Sequence, residues 1–116
     1  MKNSIPILML LLPSMALAAP ERHYQDRYCQ GVKELVLSDR TRVDCLTDTH
    51  AIEYDFSNKW ADAIGQSLGY AMETGKRAGI VLILKEPKHR KHWEKLNRVI
   101  QHHRLPIDTW VIEAWE

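Results

Sequence analysis

Residues 41–71, TRVDCLTDTHAIEYDFSNKWADAIGQSLGYA, hold both the pattern that sets the fold and the residues with unusual chemistry. Two short apolar runs, 42–46 and 51–56, have strand character, and the Thr47-Asp48-Thr49-His50 connection is short enough for a hairpin. In a strand, side chains two apart share a face. Ile52, Tyr54 and Phe56 are therefore expected to point into a core, with Glu53 and Asp55 on the other side. Pairing the two runs can bring Asp44 beside Glu53. Carboxylates gathered on one patch repel one another unless a proton or a cation intervenes. An oxygen-rich set such as Asp44, Glu53 and Asp55 suits Mg²⁺ or Mn²⁺.

Directly after these runs, Ser57-Asn58 is expected to cap a helix over residues 59–74, which Gly75 ends. Trp60, Ile64, Leu68 and Ala71 form a core-facing row at helical spacing. Lys59, Ala63, Gln66 and Tyr70 form an adjacent row that could border the acidic patch; the alternative is that Gln66 and Tyr70 are ordinary boundary residues. Gly65 and Gly69 each lower helix propensity by about 1 kcal/mol. Close packing of the helix on the sheet is the economical reason for them.

The order of these residues resembles the PD-(D/E)XK nuclease superfamily, over roughly residues 24–112, with four or five specific positions. The resemblance implies a core of a helix, a three-stranded meander, a helix and further strands. It matches Asp44 to the motif Asp of the second strand, Glu53 to the Glu of the third, and Gln66, with Tyr70 one turn later, to the signature of the next helix. Where the family usually has Lys, this chain has Asp55, so the motif stands as Glu53-Tyr54-Asp55. Some branches move the lysine to a neighbouring element, and Lys59 is the candidate for that role. The implied activity is that of a metal-dependent nuclease or phosphodiesterase. Asp44, Glu53 and Asp55 would hold Mg²⁺ or Mn²⁺, Lys59 would stabilise charge or orient the water, and Gln66 would position the water or the backbone. The alternative is a non-catalytic exported domain of the same fold that binds a metal ion or an anionic partner. Asp55 in place of Lys favours that alternative; Asp44, Glu53 and Gln66 together favour the enzyme.

The chain begins with Lys2, an almost unbroken apolar run over residues 5–12, and Ala16-Leu17-Ala18, a small-x-small site. This is the pattern of a secretory signal peptide over residues 1–18. The run is well short of the roughly 20 residues a spanning helix needs. A periplasmic or secreted protein with no membrane span after cleavage is expected, leaving residues 19–116 as one domain. Of 16 basic and 15 acidic side chains, the signal peptide removes only Lys2. The even balance gives no global pull toward nucleic acid. Cys29 and Cys45 are the only cysteines, and in an exported chain they are expected to bond, two buried free thiols being the alternative.

Upstream, residues 21–31 carry Tyr24 and Tyr28 at helical spacing with Gly31 as a stop, and 32–37 alternate toward Leu35 and Leu37 before a turn at 38–41. Downstream, residues 79–85 form a continuous apolar run, as expected of a strand buried on both faces. Pro87 can open the next helix, whose apolar side carries Trp93, Leu96, Val99 and Ile100. Its other side is basic. Lys88, Arg90, Lys91 and Lys95 are candidates to contact phosphate on nucleic acid or another anionic ligand, or else they form a solvated helix face. His89 and His92, at i, i+3 spacing, are a weaker pair of transition-metal candidates. Residues 107–114 read as a last strand. The order helix, strand, strand, strand, helix, strand, helix, strand predicts a single α/β domain with a mixed sheet, an antiparallel meander followed by helical crossovers.

Overall fold

The chain follows that order in a computed structural model that describes residues 19–115. The expected signal peptide lies outside the described residues. Helix α1 spans Glu21–Tyr28, and strands β1, β2 and β3 span Val32–Val36, Arg42–Leu46 and His50–Phe56. A 3₁₀ turn, Ser57–Lys59, leads into helix α2, Trp60–Thr74, and then strand β4, Arg77–Leu84. A second 3₁₀ turn, Pro87–His89, precedes helix α3, Arg90–His103, and strand β5, Ile107–Glu113, closes the domain.

One sheet of order β1-β2-β3-β4-β5 holds all five strands. The first two pairings are antiparallel and the last two parallel. Short turns can join antiparallel neighbours, whereas each parallel step needs a crossover, here supplied by α2 and α3. On β4, Ala78, Ile80, Leu82 and Leu84 pack with Trp60, Ile64, Leu68 and Ala71 of α2 and with Leu96 and Ile100 of α3. Its alternate residues Val81 and Ile83 pack on the other side with Ile52, Tyr54 and Cys45, against Tyr24 of α1. The continuous apolar run is therefore the central strand, covered on both faces. Cys29 and Cys45 are bonded, with Cα atoms 5.8 Å apart, and fasten the end of α1 to β2.

Local details differ from the sequence expectations. The first helix stops at Tyr28, three residues before Gly31. A Cβ at Gly31 would lie 2.1 Å from the Leu46 carbonyl oxygen, so this glycine serves a close backbone crossing rather than a helix end. Ser57 and Asn58 do not cap α2 through their side chains; they form the 3₁₀ turn that precedes it. Gly75, with φ 71°, does end α2 in the left-handed conformation.

Gly65 and Gly69 have no neighbouring atom within 4 Å of an added Cβ, so close packing on the sheet does not explain them. Alanine at either position should stabilise the protein by up to about 1 kcal/mol, since helix propensity rises and no contact is displaced. Urea unfolding of Gly65→Ala measures this. A loss of stability would contradict the open surroundings of Gly65.

Candidate functional site

Asp44, Glu53 and Asp55 meet where the regular ladder of the sheet is broken. Strands β2 and β3 pair Cys45 with Ile52 and Leu46 with Ala51, and no further. Beyond that point the Tyr54 N–H donates to Asp44 Oδ2 at 2.8 Å, a carboxylate standing in for a ladder carbonyl. Across β1, the pairing likewise skips the Glu34 and Asp44 step. Glu34 there has φ 54°, a left-handed conformation that costs a non-glycine residue roughly 1 kcal/mol or more. Such strain tends to sit at functional sites, held by the surrounding structure. Here it lies beside the acids.

Glu53 and Asp55 share one face of β3, as expected, and that face is roofed by α2. Each is only 4% exposed. Glu53 Oε1 and Asp55 Oδ2 have no hydrogen-bond partner. Burying an ionised carboxylate without a partner is costly enough that the group takes a proton instead. Burial is the largest cause that pushes Glu53 up to about 11, with the neighbouring Asp55 and Asp44 adding to it. Burial likewise raises Asp55 to about 7; its contact with Glu53 lowers it, while Glu21, at the start of α1, raises it. Asp44 rises to about 6, again through burial first, tempered by the Tyr54 N–H and Glu53 and raised by the charges of Glu34 and Glu21. As folded, the cluster shares protons. Among the described residues no three Asp, Glu, His or Cys side chains already stand as a metal-coordinating group.

From α2, Tyr70 reaches down to this cluster. Its phenol is raised by burial and then by the charges of Glu53 and Asp44, and its O–H donates to Gln66 Oε1 at 3.4 Å. Gln66 is thus tied to the acids through Tyr70, while its own side chain is on the exposed surface. Lys59 is exposed as well, and it is the smallest of the named influences on Asp55. It stands at the rim, not among the carboxylates. A second lysine occupies the same end of the sheet: Lys85 Nζ lies 4.2 Å from the centroid of the Phe56 ring.

The basic helix divides into paired and unpaired cations. Arg90 Nη2 donates to Glu113 Oε2 at 2.6 Å, and Lys88 lies 3.5 Å from Glu86, so both are partly neutralised. Lys91 and Lys95 are exposed and form no ion pair among the described residues. The His89 and His92 rings are 5.9 Å apart, with no third ligand beside them among the described residues.

Glu21 and Glu34 had no sequence signal pointing to the site, since their approach depends on how α1 and the irregular β1 fold. The chain matches no family model, and comparison with curated proteins and with solved structures gives no match either. The fold and the site therefore define it by themselves: an α/β domain with a disulfide, whose five-stranded mixed sheet buries a cluster of carboxyl groups beneath its first crossover helix.

Proposed function

We propose that this cluster takes a divalent cation and serves phosphodiester hydrolysis of the nuclease type in an exported protein. The observation that carries the reading is the pair of orphaned buried oxygens, Glu53 Oε1 and Asp55 Oδ2, next to the tethered Asp44. An all-oxygen donor set fits a hard cation such as Mg²⁺ or Mn²⁺. The resemblance to the PD-(D/E)XK superfamily supports it too, because the acids fall on the second and third strands of a meander followed by a helix. The Cys29–Cys45 bond supports an oxidising compartment, periplasmic or extracellular.

Asp44, Glu53 and Asp55 would hold the cation, which supplies an activated water and offsets charge on the phosphate. Tyr70 keeps its proton on the phenol oxygen and links the acids to the exposed Gln66. Lys91 and Lys95 offer unpaired ammonium groups to a phosphate backbone. The position of Lys59 favours a second reading, a cation-binding domain without catalysis, because none of the described Lys or Arg side chains stands among the carboxylates.

Cleavage of DNA and RNA by the mature protein with Mn²⁺, with and without chelator, decides between the two readings. Cleavage should need the metal and fall at least about 100-fold in Asp44→Asn. That variant keeps an acceptor for the Tyr54 N–H and so should keep the fold. Metal binding with no cleavage of either nucleic acid would overturn the enzyme reading and leave the second.

A further inference from the structure

The opposite face of the sheet carries a different set of groups. Helix α1 is eight residues long and covers that face only in part. It leaves a cleft of about 610 Å³, within the roughly 300–1,000 Å³ of small-molecule sites. Ile52, Tyr54, Val81 and Ile112 line it together with Tyr28 and Trp110, and Thr49 and His50 stand at the end where β2 turns into β3.

Thr49 Oγ1 is 2.7 Å from His50 Nδ1, and His50 Nε2 is 2.7 Å from Asp108 Oδ2 on β5. Arg77 secures that carboxylate, with Nε donating to Oδ2 at 2.6 Å and Nη2 to Oδ1 at 3.2 Å. Arg77 first, and His50 after it, hold Asp108 below the usual carboxylate range. An ionised carboxylate only accepts, so Nε2 carries the imidazole proton. Nδ1 is then the acceptor, and the Thr49 hydroxyl donates to it. Trp110 packs edge-on against the imidazole, ring centroids 5.2 Å apart, and the His50 side chain is 18% exposed.

A hydroxyl that donates to a base, with the base oriented by a third group, is the arrangement of an activated nucleophile. Which ring nitrogen faces which partner does not alter those roles. We propose that the cleft is an acyl-transfer site for small esters of apolar acids. Thr49 is the nucleophile, His50 the general base, and Asp108 and Arg77 are positioning residues. The Thr49 oxygen attacks the ester carbonyl carbon while its proton passes to His50 Nδ1. The alkoxide or phenoxide leaves with the bonding electron pair and takes that proton, which gives acyl-Thr49. Water then attacks the acyl carbon, its proton again passing to Nδ1 and on to Thr49 Oγ1, and the carboxylic acid is released. The apolar cleft selects the acyl chain. None of this depends on the acidic site, whose carboxyl groups face α2.

p-Nitrophenyl acetate and p-nitrophenyl hexanoate test the site, with intact-mass detection of acyl-Thr49. The hexanoate should be the better substrate. Thr49→Val and His50→Gln should each lower kcat/KM at least about 100-fold, and Thr49→Ser should retain activity. Asp108→Asn presents a donor to Nε2, which enforces the wrong tautomer, and should lower kcat without raising KM. Thr49 is exposed, so Thr49→Val folds even where a His50 variant does not, and thermal melts confirm it. Absence of turnover above buffer overturns the proposal. So does full activity in Thr49→Val, including the case where only His50→Gln is inactive, which would mean that the imidazole activates water directly.

Discussion

Freed of divalent cations, the protein should lose stability as the pH rises from about 5 to 8. Asp44 and Asp55 are raised from 3.8 to about 6 and about 7 by burial, so the folded state holds protons that the unfolded state has already released. Stability falls with pH wherever the native state binds more protons. The favourable contribution is therefore complete below about pH 4 and is lost as the pH passes through the two raised values. A tenfold change in proton affinity corresponds to about 1.4 kcal/mol, and the loss across this window should be on the order of 3 kcal/mol. Against a total of about 5–15 kcal/mol for a domain, that is large. Glu53, pushed up from 4.5 to about 11, keeps its proton in the folded state while the unfolded chain has already released it, so it deepens the loss across the same window and on into alkaline solution. Asp55→Asn does not titrate and should flatten the profile. It should match the wild type near pH 4 and exceed it at pH 8 by about 4 kcal/mol, roughly 20 °C in Tm. Urea unfolding in chelator at several pH values measures both proteins. Stability that rises over this interval would contradict the burial of ionisable carboxyl groups described here.

Chain order and apolar periodicity were enough to place the strands and helices. The run over residues 79–85 read as a strand covered on both faces, and β4 has alternate side chains in two separate cores. The pairing of Cys29 with Cys45 followed from their being alone. Alternation in β3 separated the acids from Ile52 and Tyr54, but alternation alone does not say what covers the polar side. Tyr70 and α2 cover it, which buries the acids as a proton-sharing cluster. The position of Lys59 depends on a 3₁₀ turn that replaced the expected cap, and that turn leaves the lysine on the surface. His50 and Asp108 are 58 residues apart, and only the parallel register of β3, β4 and β5 brings them together. Gly79 belongs with them. A Cβ there would approach Trp110 Cζ3 to 2.8 Å, so the glycine makes room for the ring beside His50.

The second large effect concerns the cation. Glu53 has an oxygen with no partner in a site where every donor is a carboxyl group, and replacing it by Gln removes a charged ligand while keeping the neutral shape that the cluster accommodates. A hard cation binds carboxylates far better than amides in such a site, so the change should fall on affinity rather than on folding. Calorimetric titration with Mn²⁺ at about pH 7.5, on wild type and Glu53→Gln, tests this most directly, since metal binding must displace the protons the cluster holds. Saturable binding of one ion by the wild type, weakened at least about 10-fold in Glu53→Gln, is the predicted result. No saturable binding, or equal affinity in the two proteins, would contradict it.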